Sequence, residues 1–463
     1  MMASVANALG VPLFYSGASV KWFSAVGSGP TLSGSSSNDS LYGGGNGTVT
    51  MSGLAGDDVY YLYSNRDKAV ENPGEGVDTI STWMSYTLPA HFENLTVTGD
   101  NQLASGNDQD NIITGGSGRQ TLDGGRGNDV LKGGAGSDIF VVTKGNGSDL
   151  ILDFGSTDEL RLNGTGFFSF DQVKSNMHQS GDDVRLELGG GEMLVFADKT
   201  IDQFRSDQFK LSLDTSAMQL TFADEFDSLS LWDGESGTWD SNYWWGAPNG
   251  NSLHNNGERQ WYIDHAYGPT RSVNPFSIED GVLTITAARA PEEIRPYINN
   301  YEYTSGMLTS FESFAQTYGY FEIRADMPDE KGTWPAFWLL PADGNWPPEL
   351  DVVEMRGQDP NQLVLTAHSE ATGDHTQIRT VANVASTEGF HTYGLLWTED
   401  ELVWYFDDVE VARAETPADM HDPMYMIVNM GLGGWAGTPS DDLAAEMKID
   451  YIHAYQLGDD AIL

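Results

Sequence analysis

The amino-acid sequence predicts an all-β protein built from two different β domains. Neither half of the 463 residues contains a long stretch with a 3.6-residue apolar period, whereas short alternations of apolar and polar residues are common, as in residues 282–286. A nine-residue pattern rich in glycine and aspartate recurs in the first half, while every tryptophan except Trp22 and Trp83 lies in the second half. We therefore expect one domain at residues 1–213 and another at residues 214–463, each large enough to bury its own core.

Charge and residue usage exclude several classes of function. The chain has 23 Lys and Arg residues against 68 Asp and Glu residues, and its net charge of −45 repels nucleic acid and anionic membrane surfaces and favours bound cations such as calcium. It has no cysteine, which excludes disulfides, thiol catalysis and cysteine-ligated zinc. No apolar run approaches the roughly 20 residues of a membrane helix, and no basic segment precedes an apolar stretch at the N-terminus. Neither a membrane anchor nor a Sec-type signal peptide is expected.

The first half carries three consecutive blocks with the pattern G-G-x-G-x-D-x-U-x, at residues 115–123, 124–132 and 133–141. The glycines permit a tight turn, the aspartate at the sixth position directs a carboxylate into that turn, and the apolar eighth residue points inward. Calcium takes six to eight oxygen ligands, which carboxylates and turn carbonyls supply together. A flexible solvated linker is the alternative for a single block, but three blocks in phase favour a parallel β-roll.

These blocks resemble the RTX calcium-binding module of type I-secreted bacterial proteins, over about residues 33–213. Weaker copies begin at Gly106, Gly53 and Gly34. The candidate calcium ligands are the sixth-position residues Asp129, Asp138, Asp39 and Asp58. Gln120 and Asn111 replace aspartate at this position, so we expect fewer and weaker sites than in a full array. The resemblance implies calcium as cofactor, the type I secretion machinery as partner, and an extracellular, secreted protein.

The most informative segment of the second half is residues 349–355, Glu-Leu-Asp-Val-Val-Glu-Met. Plain strand alternation would bury Glu354 among aliphatic side chains, at a cost of several kcal/mol. One extra residue, a β-bulge near residues 352–353, instead places Glu349, Asp351 and Glu354 on one face. Two glutamates with an aspartate between them supply a nucleophile, an acid/base and a group that tunes their pKa values, which is what glycoside hydrolysis needs. A solvated acidic strand is the alternative, but the aromatic stretch 332–346 upstream favours a sugar-binding cleft.

The segment is similar to glycoside hydrolase family 16, in the bulged branch that includes laminarinases, over about residues 219–457. Further matches are residues 222–226, 256–262, 433–435 and 449–455. The resemblance implies an antiparallel β-sandwich of the jelly-roll type with a substrate cleft on its concave face. It implies Glu349 as nucleophile, Glu354 as general acid/base and Asp351 as the residue that positions and tunes the nucleophile. The substrate-binding candidates are Trp334, Trp338, His368, Trp435, Glu258 and Trp261, and the candidates for a structural calcium are Glu225 and Asp450. For His368 a purely structural role is the alternative.

The sequence thus predicts a monomeric, endo-acting, retaining β-glycanase that hydrolyses internal β-1,3 or β-1,4 linkages. A calcium-dependent polysaccharide-binding matrix protein and a transglycosylase are the alternatives. Laminarin-like glucan, mixed-linkage glucan and a bacterial exopolysaccharide all stay open as substrates, because loop shape decides subsite preference. The pairing of the two modules resembles rhizobial exopolysaccharide-trimming glycanases, which favours the last class.

Overall fold

The computed structural model of the protein describes residues 21–24, 31–44 and 48–457. The N-terminal residues on which the signal-peptide expectation rests lie outside this part. The chain divides into two compact units, with the division between Ser212 and Leu213. No helix within the described residues has the length and apolar character needed to cross a membrane.

The first unit is a stack of short parallel strands. Its elements are β1 (Lys21–Ser24), β2 (Thr31–Ser33), β3 (Asp39–Tyr42), β4 (Thr50–Ser52), β5 (Val59–Leu62), β6 (Lys68–Ala69), β7 (Thr79–Thr82), β8 (Tyr86–Thr87), β9 (Asn94–Val97), β10 (Gln102–Ser105), β11 (Ile112–Thr114), β12 (Gln120–Asp123), β13 (Val130–Lys132), β14 (Ile139–Thr143), β15 (Asp149–Ile151), β16 (Glu159–Asn163), α1 (Phe170–Ser175), β17 (Met177–Ser180), β18 (Asp183–Gly189), β19 (Glu192–Phe196) and β20 (Phe209–Lys210).

Successive strands of the stack alternate between two faces, because each nine-residue block makes half a turn of the roll. The odd-numbered strands from β1 to β19, together with β18, form an 11-stranded sheet. The strands β8, β10, β12, β14, β16 and β20 form a six-stranded sheet, and β2, β4 and β6 form a third sheet. Leu122, Leu131 and Phe140, at the eighth position of the three blocks, are buried in the common core. Beyond β16 the pattern changes, and β17, β18 and β19 pair antiparallel. The parallel β-roll expected from the repeat is confirmed.

The second unit is an antiparallel β-sandwich. Its strands are β21 (Gln219–Asp224), β22 (Gln260–Tyr262), β23 (Phe276–Glu279), β24 (Val282–Arg289), β25 (Tyr303–Ser305), β26 (Met307–Thr309), β27 (Gly319–Asp326), β28 (Thr333–Pro341), β29 (Glu349–Glu354), β30 (Gln362–Ser369), β31 (Thr376–Asn383), β32 (His391–Trp397), β33 (Glu401–Phe406), β34 (Val409–Glu415), β35 (Met424–Leu432) and β36 (Ala444–Gln456).

Two sheets enclose the core of the sandwich. One has ten strands and is built around β36, β27 and β32, and the other has six in the order β26-β35-β28-β29-β30-β31. Alternate residues of β28, among them Phe337 and Leu339, pack between the sheets with Phe321 and Trp397. The remaining residues of β28 and β29 face outward from the six-stranded sheet. The all-β fold class, with a β-sandwich in the second half, is confirmed.

Candidate active site

The bulge predicted in the acidic strand is present. Asp351 pairs with Thr366 and Glu354 pairs with Val364, so three steps along β29 match two steps along β30. The indole of Trp404, from the opposite sheet, donates a hydrogen bond of 2.9 Å to the Asp351 main-chain carbonyl. This contact satisfies a buried acceptor at the bulge and anchors it in the core.

The bulge sorts the strand into an acidic face and an apolar face. Glu349, Asp351 and Glu354 point away from the core, whereas their neighbours pack into it: Leu350, Val352, Val353 and Met355. Two tryptophans donate to the glutamates. Trp346 Nε1 lies 2.6 Å from Glu349 Oε2, and Trp334 Nε1 lies 2.8 Å from Glu354 Oε1.

His368 lies on the same face, on β30. Its Nε2 atom is 3.4 Å from Asp351 Oδ2 and 3.8 Å from Glu349 Oε1. Its Nδ1 atom lies 3.0 Å from Nε2 of His375, whose ring is in turn 5.0 Å from the ring of Trp346. The histidine therefore lies within reach of two of the three carboxyl groups.

Burial changes the acidity of the whole triad. Desolvation, with repulsion from Asp351, raises the pKa of Glu349 to about 8. Desolvation raises the pKa of Glu354 to about 7, against the opposing hydrogen bond from Trp334. Desolvation and the nearby Glu354 raise the pKa of Asp351 well above its ordinary value. The three groups therefore retain at least one proton near neutral pH, as a site that needs one acid and one anion requires.

Aromatic side chains flank the triad along β28. Trp334 and Trp435 are half-buried, and their rings meet edge to face with centroids 5.5 Å apart. Trp338 is more enclosed, with 7% of its surface exposed, and pairs with Asp351 across the strands. It belongs to a cluster on the outward face of the sheet and not to the core between the sheets.

A chain of hydrogen bonds supports the floor of this face. Glu258 is buried and accepts from the Leu253 main-chain N–H at 2.6 Å and from the Tyr262 hydroxyl at 3.3 Å. Asn429 donates to that hydroxyl at 2.8 Å and accepts from Trp338 Nε1 at 2.7 Å. Glu258 is therefore linked to Trp338 through Tyr262 and Asn429.

The turns of the first unit form a second set of buried carboxylates. Three sixth-position carboxylates each accept a hydrogen bond from the main-chain N–H of the sixth-position residue one full turn earlier. The pairs are Asn111 to Asp129 at 2.8 Å, Gln120 to Asp138 at 2.9 Å, and Asp39 to Asp58 at 2.6 Å. The predicted calcium ligands therefore stack in rows along the edges of the roll.

Comparison with known proteins decides the family. Residues 263–453 match the model for glycosyl hydrolases family 16, and residues 31–46, 105–140 and 114–151 match the RTX calcium-binding nonapeptide repeat. The chain is 63% identical to the endo-1,3-1,4-beta-glycanase ExsH of Rhizobium meliloti (strain 1021), with 99% of both chains covered. The chain belongs to glycoside hydrolase family 16.

Two further relatives share a lower sequence identity with this chain. The endo-1,3-1,4-beta-glycanase EglC of Rhizobium meliloti (strain 1021) is 59% identical, with 99% of both chains covered. A beta-glucanase of Rhodothermus marinus is 31% identical over 51% of this chain and 85% of its own. The enzyme is therefore a glycoside hydrolase in which a family 16 domain follows RTX calcium-binding repeats.

The RTX turns fit a bound cation. Asp129 Oδ2 and Asp58 Oδ2 are buried oxygens without a hydrogen-bond partner. Desolvation and the nearby Asp149 raise the pKa of Asp129 to about 9, which shows how poorly a negative charge is tolerated there without a counter-charge. The first glycine of this turn lies so close that a Cβ atom on Gly124 would be 2.2 Å from Asp129 Oδ2. Carboxylate oxygens in a glycine-lined turn are the donors that calcium prefers.

Gln120 and Asn111, which replace aspartate at the sixth position, form hydrogen bonds that a carboxylate cannot form. Gln120 Nε2 donates to the Gly99 carbonyl at 2.8 Å, and Asn111 Nδ2 donates to the Phe92 carbonyl at 3.1 Å. An amide N–H₂ group thus bonds a turn carbonyl that would otherwise be free to bind a cation. This arrangement agrees with the expectation of fewer sites than in a full array.

Three predicted site residues are not supported by their placement. Trp261 is only 4% exposed, packs in a separate apolar cluster, and donates to the Asn249 carbonyl, so its ring offers no face to a sugar. Glu225 is paired with His453 at 2.6 Å, and Asp450 is paired with Arg324. Each of these two carboxylates already has a basic partner, so a calcium ion between them is not supported.

Sequence reasoning missed other residues of the two sites. Trp346 was expected only as part of the sugar-stacking aromatic stretch, and its hydrogen bond to Glu349 was not predicted. Arg379, whose guanidinium lies 4.9 Å from the Trp435 ring centroid, belongs to no motif that assigns it a role. In the RTX turns, Asp149 and Asp158 continue the two carboxylate rows, accepting from the N–H groups of Asp129 and Asp138. A sequence signal for Asp149 and Asp158 was present, since each ends a turn segment that contains glycine and serine but fewer glycines than the repeat pattern.

Proposed function

We propose that the enzyme is an endo-acting, retaining β-glycanase in which Glu349 is the nucleophile, Glu354 the general acid/base and Asp351 the tuning residue. The single observation that carries this assignment is the bulge in β29, which brings the three carboxyl groups to one face beside the tryptophans. We further propose that residues 214–463 form the catalytic domain and residues 1–213 the calcium-binding domain. Glutamine substitution of the two glutamates is the test, and its expected result opens the Discussion.

In the first step Glu349 attacks the anomeric carbon while Glu354 protonates the departing glycosidic oxygen. In the second step Glu354 takes a proton from water, and that water displaces Glu349 from the glycosyl carbon, so the anomeric configuration is retained overall. Two carboxyl groups on one strand face suit the short spacing of about 5 to 5.5 Å that this mechanism needs.

The scheme places the proton on Glu354 and the charge on Glu349. The pKa values have the opposite order, because the pKa of about 8 for Glu349 is higher than the pKa of about 7 for Glu354. Two contacts favour the required state. The Trp346 N–H donates to Glu349, and the Nε2 atom of His368 lies 3.8 Å from its other oxygen. Both groups lower the pKa of Glu349, although burial outweighs them, and in the proposed scheme Glu354 holds the proton.

Trp435 is proposed to bind a sugar ring at an outer subsite. Its replacement by alanine is expected to raise KM about threefold to tenfold on long glucan chains, because a stacked ring contributes about 0.5–1.5 kcal/mol beyond its buried area. Short oligosaccharides that end before this subsite should lose much less. Trp83→Ala is the matched control, since Trp83 is a 56% exposed tryptophan of the RTX unit. Equal KM changes on long and short substrates would contradict the assignment.

Among the substrates left open by the sequence, two arginines favour a polysaccharide with acidic groups. In a chain of net charge −45, the guanidinium groups of Arg356 and Arg379 lie 5.0 Å and 4.9 Å from the Trp435 ring centroid. Arg356 is paired with Asp359 at 3.0 Å. Arg379 forms no ion pair with a carboxylate in the described part of the chain, which leaves its charge available to a substrate.

Arg379→Gln is therefore expected to lower kcat/KM on an acidic exopolysaccharide relative to a neutral mixed-linkage glucan by about tenfold, or roughly 1.4 kcal/mol. The ratio of the two substrates is the measured quantity, because it cancels any effect of the arginine on the triad itself. Arg185→Gln, at an exposed position of β18, is the control and should leave the ratio unchanged. An unchanged ratio in Arg379→Gln would favour a neutral glucan as substrate.

We also propose that the RTX domain folds outside the cell, after export by type I secretion. Asp129, Asp138, Asp39 and Asp58 would hold calcium, which supplies the positive charge that their stacked carboxylates need. Extracellular calcium modules bind at roughly 10⁻⁴ to 10⁻³ M, so the roll would be unfolded in a cytosol poor in calcium. The extracellular location and the transporter follow from this scheme.

A further inference from the structure

Two neighbouring tryptophans are exposed on the surface of the second unit. Trp244 has 47% of its surface exposed and Trp245 has 42%. Their rings meet almost at right angles, with centroids 5.5 Å apart. A single exposed apolar side chain needs no explanation, whereas adjoining exposed aromatic rings are typical of a binding surface.

Both rings are supported from beneath by other aromatic rings. Trp245 stacks on Tyr243, with centroids 4.6 Å apart and planes 17° apart. Trp244 stacks on Phe311 at 5.6 Å, and Phe311 in turn meets the buried Tyr425 edge to face at 5.0 Å. Because the two tryptophans are already held in place, they lose little conformational freedom when a ligand binds.

The supporting residues connect the pair to the face that carries the triad. Tyr243 belongs to the same outward-facing cluster as Trp338, and the two ring centroids are 6.3 Å apart. Trp338 pairs with Asp351 across the strands. Trp244 also packs against the loop between β28 and β29, since a Cβ atom on Gly344 would lie 2.5 Å from its ring. An aromatic surface therefore continues from the triad to the exposed pair.

The order of the strands shows how far the pair lies from the reacting bond. Trp244 rests on Phe311, which follows β26, and β26 is the edge strand of the six-stranded sheet. Three strand spacings separate β26 from β29, which corresponds to roughly 14 Å. An extended glycan needs several sugar units to span this distance. The pair is therefore placed to contact sugars well away from the bond that is cut.

The shape of a β-linked glucosyl unit suits this surface. Its ring substituents are equatorial, so both faces of the ring present C–H groups, which pack on the flat face of an indole. Trp435 lies on the other side of the triad, because it contacts Arg379 of β31, the opposite edge strand of the same sheet.

We propose that Trp244 and Trp245 form a platform that binds β-linked glucosyl units several positions from the cleaved bond. The proposal rests on the cleft and triad of the proposed function. The platform favours long chains over short ones, and with Trp435 at the opposite edge it holds the polysaccharide on both sides of the cut.

The test measures binding by full-length Glu349→Gln in saturating calcium, with mixed-linkage glucan oligosaccharides of increasing length in a calorimeter. Adding Trp244→Ala or Trp245→Ala to this variant is expected to weaken binding of the long oligosaccharides about threefold to tenfold, as the loss of one stacked ring predicts. Oligosaccharides too short to reach the platform should bind with unchanged affinity. Trp245→Phe keeps an aromatic face and should retain most of the long-chain affinity.

Trp83→Ala, which removes an exposed tryptophan of the RTX unit, is the control and should leave every affinity unchanged. Unchanged long-chain affinity in the variant that lacks both Trp244 and Trp245 would overturn the proposal. Equal losses on long and short oligosaccharides would also overturn it, because they would show that the pair only supports the structure of the cleft.

Two further arrangements keep the outcome decisive. If the alanine variants fail to fold, Trp245→Leu keeps apolar contact with Tyr243 but has no flat face, and wild-type affinity for long chains would then overturn the proposal. If Glu349→Gln still cuts the chain, the nucleophile assignment is wrong, and the ratio of KM values on long and short substrates tests the platform instead. Trp245→Ala should raise that ratio about threefold to tenfold.

Discussion

Glu349→Gln and Glu354→Gln are each expected to lower kcat on a β-glucan by about a thousandfold or more. An amide cannot form the glycosyl ester that Glu349 forms, and it cannot deliver or take the proton that Glu354 transfers. Both domains should stay folded, because Trp346 and Trp334 can donate their N–H groups to an amide oxygen as they do to a carboxylate. Activity and circular dichroism measured on the same preparations separate loss of chemistry from loss of structure.

The control for these variants is Glu322→Gln. Glu322 is a buried glutamate of the opposite sheet, hydrogen-bonded by the Tyr320 and Tyr451 hydroxyls, and its pKa is likewise raised by burial. It should keep near-wild-type activity. A variant at residue 349 or 354 with more than about a tenth of wild-type kcat would exclude that residue from the chemistry.

Azide separates the two roles. It should restore turnover to Glu354→Ala and yield a glycosyl azide of retained configuration, since a small anion needs no general base. In the wild type, kcat/KM is expected to fall as pH rises above about 7, where the Glu354 acid loses its proton, and the rescued variant should lack this alkaline limb. Inverted product from the native enzyme would rule out double displacement.

Removal of calcium is the second change with a large expected effect. Chelator should abolish the ordered β-structure of residues 1–213. The stacked carboxylates, among them Asp58 and Asp129 with one unpartnered oxygen each, then repel one another in a buried setting. Circular dichroism and limited proteolysis of the full chain during a calcium titration measure this. We expect the transition at roughly 10⁻⁴ to 10⁻³ M calcium, with cleavage confined to the RTX domain below it.

Asp129→Asn provides the matched variant for calcium. An asparagine stands at position 111 in the same row and bonds carbonyls with its amide, so this change should preserve packing while it removes one ligand. The variant is expected to need more calcium to fold. An RTX domain that is fully ordered and protease-resistant in chelator would contradict the calcium switch.

Short sequence patterns predicted the two features that depend only on neighbouring residues, namely the inward-facing repeat positions and the bulge in β29. The nine-residue period determines that Leu122, Leu131 and Phe140 point inward, because a fixed repeat length returns each position to the same place in the turn. The bulge in β29 followed from the same reasoning, since two glutamates five residues apart can share a strand face with Asp351 only if one residue is added. Both predictions needed no knowledge of any distant part of the chain.

Contacts between distant segments were decided only when the chain folded. Strand alternation predicts which face of a strand a side chain occupies, but it does not predict which residues lie opposite that face. Trp261 and Trp346 therefore look alike in sequence, although Trp261 is buried in an apolar cluster and Trp346 donates a hydrogen bond to Glu349. The same holds for Glu225, which meets His453 across 228 positions of the sequence. Asp58, Glu71 and Asp78 likewise come within reach of one another only through the stacking of the turns. Register and sheet order are properties of the whole core, and no short pattern encodes them.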